Sequence, residues 1–185
     1  LGSKEERMPK TVDNLKAAFA GESQANRRYL AFAKKALEDG RPQVAKLFRA
    51  AAAAETIHAH NHLRAMGAIK TTGENLKEAI SGEHYEFTKM YPEFLETAKG
   101  EDAGQAAWSF NVANKVEEVH HGLYEKALAA VQNGEDLPAA KIWVCEVCGN
   151  TVEGTPPEKC PVCGAPRDKF VEIDSGSGAD RSVIC

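Results

Sequence analysis

The chain has 185 residues, 43% of them hydrophobic and 27% charged, with a formal net charge of −4. That is enough apolar material for one packed domain and a small appended module. A weakly acidic chain without a Lys/Arg block gives no footprint for nucleic acid, and no apolar run approaches the ~20 residues of a membrane helix. Residues 1–10 are polar and lack the apolar core of a signal peptide, so a cytoplasmic location is expected.

Residues 1–10 read as a flexible N-terminus and residues 11–137 as a helical domain. The first helix should start with Thr11 or Asp13 near its N-cap and stop at Asp39-Gly40. Arg41-Pro42 opens a second helix ending at Met66-Gly67. Residues 68–81 read as a connection containing a short helix near 75–80. A third helix continues to Lys99-Gly100, with Pro92 expected to kink it or to remove one backbone bond. The fourth runs from about Asp102 to Gln132 and stops at Asn133-Gly134. Long helices, two of them joined by a longer connection, fit a four-helix bundle with a crossover. Residues 138–173 are short, Gly/Pro-rich and carry strand-like pieces at Ile142-Trp143-Val144 and Phe170-Val171. So small a module needs a metal staple in place of a large core. Residues 174–185 read as a flexible tail ending in an exposed thiol, Cys185.

Helical projection places several carboxylates on apolar stripes. Glu22 falls among Leu15, Phe19, Tyr29 and Ala33, and Glu55, His58 and His62 fall with Val44, Phe48 and Ala51. Glu83 and Glu86 share a face with Leu76, Phe87, Met90 and Phe94. In the fourth helix Glu117-x-x-His120 and Glu118-x-x-His121 have the same spacing. Projection puts Glu118 on the polar side and Glu117 with His120 astride the apolar stripe, while His121 lies on its shoulder. His62 reads as a core or supporting imidazole, and His60 and His84 as surface residues. Tyr29 and Tyr91 are ordinary core aromatics or donors to a neighbouring carboxylate. Isolated charges on five inward glutamates would cost on the order of several kcal/mol each, so protons, cations or metal ions must neutralise them. A Glu from each of two helices, and Glu-x-x-His from each of the other two, is the ligand set of a di-iron carboxylate bundle.

The sequence also holds two Cys-x-x-Cys-Gly hooks, Cys145/Cys148 and Cys160/Cys163. Without a signal peptide they point to metal, because two hooks can close a tetrahedral site of four thiolates. Structural zinc and redox iron both suit that spacing; a carboxylate centre in the same chain, which needs an electron source, favours iron.

On these residues the chain resembles the rubrerythrins. Ala20-Gly21-Glu22-Ser23-Gln24-Ala25-Asn26 is similar to the family's first helix and Ala54-Glu55-Thr56-Ile57-His58 to its second. Glu83-x-x-Glu86 followed by Met90-Tyr91-Pro92 is similar to the third, and Glu117-x-x-His120 with Leu123-Tyr124-Glu125-Lys126 to the fourth. The segment with Cys160-Pro161-Val162-Cys163-Gly164 and Lys169-Phe170 resembles a small rubredoxin. The resemblance implies an all-α ferritin-like four-helix bundle followed by a small, metal-stapled, β-rich rubredoxin-like domain. It further implies two Fe ions in a di-iron site and one Fe held by Cys145, Cys148, Cys160 and Cys163, with Zn a possible substitute.

The same resemblance implies roles. Glu22 would be a terminal ligand of one iron and Glu83 of the other, with Glu55 and Glu117 bridging. Glu86 and His58 would alternate on the first iron, and His120 would hold the second. The implied activity is reduction of hydrogen peroxide to water, with Glu86, Glu55 and Glu117 at the reacting centre and Glu86 as proton shuttle. An electron-donating reductase or rubredoxin and a homodimer are the implied partners. A ferroxidase, or a zinc-loaded protein without redox chemistry, are the competing readings.

Overall fold

The computed structural model describes residues 10–173. The residues before and after, including the expected N-terminal segment, the tail and Cys185, lie outside the described residues. The chain divides into two compact units, with the boundary between Lys70 and Thr71.

The first unit is a helical hairpin of α1 (Lys10–Glu38) and α2 (Pro42–Ala65). Its turn forms because Gly40 takes a φ of +70° and the Arg41 amide donates back to the Ala36 carbonyl at 2.7 Å. Pro42 then starts α2 where no amide donor is needed. The seam is made of small residues: Ala33 and Ala36 on α1, and Ala45, Ala52 and Ala59 on α2, are buried. Small side chains let the two backbones approach closely, and Phe48 packs beside the seam. Val44, which projection placed on the inward stripe, is 43% exposed. Alanines seven residues apart occupy the contact line, and the larger apolar side chains flank it.

The second unit holds three helices and a small sheet. Helix α3 (Thr72–Tyr85) passes through a π-helical turn (Glu86–Met90) into α4 (Tyr91–Gly100), and both α3 and α4 pack on α5 (Gly104–Gln132). The sequence suggested a loop with a short helix before Ser81; instead the chain is helical from Thr72 onward. A capping box is the reason: the Thr71 hydroxyl accepts from the Glu74 amide, and the Glu74 carboxylate accepts from the Thr71 amide. The expected irregularity at Pro92 appears as the π turn, in which the Tyr91 amide reaches back to the Glu86 carbonyl. Proline lacks the amide and its ring would strike the Thr88 carbonyl in a regular helix, so a wider turn just ahead gives it room.

The sulfur lobe carries β1 (Ile142–Cys145), β2 (Thr151–Glu153) and β3 (Phe170–Ile173), after a 3-10 turn at Arg167–Lys169. The sheet is antiparallel with order β2-β1-β3, pairing Trp143 with Val152 and with Glu172. The strand-like pieces read from the sequence become β1 and β3, whereas β2 had no periodic signal at three residues. Cys145, Cys160 and Phe170 form the buried centre of the lobe, with Trp143, Val152 and Val162 against them. Among the described residues no helix is long and apolar enough to cross a membrane.

Candidate metal centres

In the first unit Glu22 comes from α1, and Glu55 and His58 come from α2. Their ligand atoms gather within 4.8 Å of one another. The His58 Nδ1 lies 3.0 Å from Glu55 Oε2 and 3.8 Å from Glu22 Oε2. One turn away, a polar clamp sets the register of the two helices. Buried Asn26 donates through Nδ2 to the Ala52 carbonyl at 2.7 Å and to Thr56 Oγ1 at 2.8 Å. Glu22 and Glu55 are close enough for their carboxyls to act on each other. That interaction holds Glu22 above its ordinary pKa and, together with His58, holds Glu55 below it.

The second unit repeats the pattern. Glu83 from α3 and Glu117 with His120 from α5 form another group within 4.8 Å. Here His120 Nδ1 is 2.8 Å from Glu117 Oε2 and 3.9 Å from Glu83 Oε1. Burial, then the charge of Glu117, push Glu83 up to about 7. Burial and the same neighbour raise Glu86. The hydrogen bond that the imidazole donates to the Glu117 carboxylate raises His120 against the opposing effect of burial. Tyr91 and Tyr124 are both raised by burial and by the surrounding carboxylates, so their phenols stay protonated.

The four hook cysteines form the third group. Cys145 Sγ lies 3.8 Å from Cys163 Sγ, and Cys148 Sγ 3.6 Å from Cys160 Sγ. A tetrahedron with metal–sulfur bonds of ~2.3 Å has sulfur–sulfur edges of roughly 3.8 Å, so the cage has the right size for such an ion. Each hook closes in the same way. The Gly149 amide donates to the Cys145 carbonyl and the Gly164 amide to the Cys160 carbonyl, each at 2.8 Å, with φ of +84° and +78° at the glycines. These left-handed turns aim backbone amides at sulfur: Asn150 donates to Cys148, and Val162 and Cys163 to Cys160. Burial raises the Cys148 thiol, and a bound cation is what would make four thiolates compatible at this distance.

The structure therefore brings Glu22, Glu55 and His58 together, and separately Glu83, Glu117 and His120. Glu86 stands outside both three-residue groups, near enough for Glu117 to act on its carboxyl. None of the carboxylates is fully enclosed: side-chain exposure is 30% for Glu22 and 17% for Glu117. Tyr29 packs by its ring against Phe32 and Phe48, and among the described residues its hydroxyl makes no bond to a carboxylate. Glu118 is exposed, and His121 stacks with His84 and Phe87 beside Glu125. Asn26, Thr56 and Thr151, whose hydroxyl meets His120 Nε2 at 2.9 Å, were not singled out from the sequence. A polar residue at a buried helical position was the available signal for Asn26. For Thr151 there was none.

The donor sets suit the two kinds of metal. Carboxylate oxygen and imidazole nitrogen converge in pairs that cannot all ionise without a cation, which fits an iron-type site. Comparison with known proteins agrees with this division. The family model described as Rubrerythrin matches residues 13–128, and that of the rubrerythrin rubredoxin-like domain matches residues 143–171. Rubrerythrin-2 of Clostridium acetobutylicum is 35% identical, the match covering 86% of this chain and 95% of that protein. Rubrerythrin of Porphyromonas gingivalis is 36% identical, over 87% and 88% of the two chains. A solved structure of nigerythrin in a mixed-valence state matches with a TM-score of 0.53 and 34% identity, over 94% of this chain and 91% of that one. With its two Glu/His groups, its four-cysteine cage and both family models in place, the chain belongs to the rubrerythrin family.

Proposed function

We propose that the Glu/Glu/His groups hold the iron of a di-iron peroxidase and that the protein reduces hydrogen peroxide to water, taking electrons through iron held by the four cysteines. The observation that carries this reading is the coexistence of two hard-ligand triads of the same composition and one sulfur cage in a single chain. Held by these residues, a ferrous pair would supply two electrons together and Lewis acidity. The chain's own residues have three tasks. Glu22, Glu55, Glu83 and Glu117 bring the negative charge that holds divalent ions. His58 and His120 would complete the sets with one ring nitrogen each. Glu86, whose carboxyl is held above its ordinary range by burial and by Glu117, carries a proton towards the leaving oxygen. Each peroxide takes up two electrons and two protons and leaves as two water molecules.

The partners belong to the same proposal. An electron-donating reductase or rubredoxin would reduce the four-cysteine iron, beside which Val147 is 43% exposed. A homodimer is supported by large apolar side chains facing water: Leu47 at 69% and Ile57 at 61% on α2, and Trp108 at 49% on α5.

The test is to load the protein with iron, reduce it without oxygen, and mix it rapidly with peroxide or with oxygen. Reoxidation much faster with peroxide is expected. Equal rates with oxygen would overturn the peroxidase reading in favour of a ferroxidase. Protein isolated with colourless zinc in the sulfur cage, and inactive when that zinc is replaced by iron, would remove the proposed electron entry.

A further inference from the structure

The two Glu/Glu/His groups differ in one respect. Among the described residues His58 has partners only on Nδ1, and its side chain is 53% exposed. His120 is held at both ring nitrogens. Nδ1 faces Glu117 and Glu83, and Nε2 lies 2.9 Å from the Thr151 hydroxyl on β2 of the sulfur lobe. Thr151 Oγ1 is also 3.2 Å from the Gly149 carbonyl.

Without a cation Nδ1 donates to the Glu117 carboxylate; with a cation on Nδ1 the one ring hydrogen sits on Nε2, and the contacts there settle where each hydrogen points. A hydroxyl has one hydrogen, and the Gly149 carbonyl can only accept, so the Thr151 hydrogen points at Gly149. Its remaining lone pair must then accept from His120, which places a hydrogen on Nε2. A neutral imidazole with hydrogen on Nε2 presents its lone pair at Nδ1, the nitrogen that faces both carboxylates. The bond is formed in a cavity of about 290 Å³ whose other walls include Leu76, Leu123 and Ile142. The Gly149 carbonyl also reaches His120, so the ring proton has two acceptors, of which the Thr151 hydroxyl is the one a substitution can remove. Thr151 itself is held by the pairing of β2 with β1 and by the ion pair of Lys126 on α5 with Glu153 at 2.5 Å.

We propose that Thr151 is a positioning residue, whose hydroxyl fixes His120 as an Nδ1 metal ligand and by the same bond seats the sulfur lobe on α5. Metal binding at the Glu83–Glu117–His120 group and seating of the lobe then favour each other, because both need the same orientation of one ring. This rests on the reading of His120 as a ligand.

The experiment uses full-length protein with one equivalent of zinc in the sulfur cage, titrated with cobalt(II) and followed by its visible bands. Threonine is replaced by its near-isostere without the hydroxyl, Thr151→Val, and by Thr151→Ser, which keeps it. Thr151→Val should weaken cobalt binding by about 10–100-fold, and Thr151→Ser should restore it. In zinc-saturated protein with 15N-labelled histidine, a slowly exchanging His120 Nε2–H should be present in the parent and in Thr151→Ser, and should exchange markedly faster in Thr151→Val. Equal cobalt affinity in parent and Thr151→Val would overturn the inference while leaving the ligand assignment intact. Release of cage zinc by Thr151→Val in step with the loss of cobalt would also overturn it, since that marks a folding defect in the lobe. A parent that takes up no cobalt beyond the filled cage would refute the ligand assignment itself, and the inference with it.

Discussion

Glu83 offers a test of the idea that this chain stores electrostatic strain for a cation to relieve. Its carboxyl is pushed from an ordinary 4.5 to about 7, by burial first and by the charge of Glu117 second. At full strength that difference corresponds to about 3 kcal/mol. The side chain is 18% exposed and shares its proton with Glu117, so solvent screening and coupling reduce the usable figure to about 1–2 kcal/mol. The folded chain holds this proton more tightly than the unfolded chain does. The contribution to stability is therefore complete below pH 4.5 and is lost as the pH rises through about 7. Glu83→Gln is neutral at every pH and escapes that loss. With one equivalent of zinc in the cysteine cage and the Glu/His groups empty, urea unfolding should find parent and variant close at about pH 5. At about pH 8.5 the variant should be more stable by about 1–2 kcal/mol. Adding cobalt(II) should reverse the order, since only the parent binds it well at this group. A stability difference that does not change with pH would refute the reasoning.

Other substitutions probe the parts separately. Asn26→Ala removes the buried amide that bonds the Ala52 carbonyl and Thr56, and should destabilise the α1–α2 hairpin by about 1–3 kcal/mol in urea unfolding. Gly149→Ala puts a Cβ 3.7 Å from Val116 Cγ1, ordinary contact, so the cost comes from the φ of +84°. It should be about 1–2 kcal/mol, read as earlier thermal release of cage metal. Cys160→Ser should abolish the visible absorption of ferric iron in the cage and the amide protection of β1 and β3, with helical circular dichroism nearly unchanged.

The π turn at Glu86–Met90 has a bearing on function beyond accommodating Pro92. It begins at Glu86, the carboxylate to which the proposed function gives the proton. Turns of this kind replace the regular bonds of a helix with longer-reaching ones, and they recur at functional sites. The Glu86 carbonyl is the acceptor of the Tyr91 amide, so the turn that frees the chain at Pro92 also fixes the backbone from which Glu86 reaches.

Much of this protein is legible in the order of its residues. The sulfur cage follows from two hooks with glycine behind each, because a tetrahedral thiolate site needs little more than local chain geometry. The choice of Glu117 and His120 over Glu118 and His121 follows from helical phase, since a step of one residue turns a side chain about a third of the way round the helix. Those are short-range effects, and sequence spacing encodes them directly.

What the spacing left undetermined depends on contacts between distant residues. Projection drew one apolar stripe per helix, but which part of it meets a neighbour is a matter of packing: the α1–α2 seam took the alanines, and Val44 stayed exposed. The helix through residues 72–80 turned on a capping box that outweighed Gly73. Thr151 lies 31 residues from His120 and carries no motif, so only the fold could bring its hydroxyl to the imidazole. Sequence by itself determined which groups can bind metal; tertiary structure decided which of them meet, and which nitrogen of His120 faces the carboxylates.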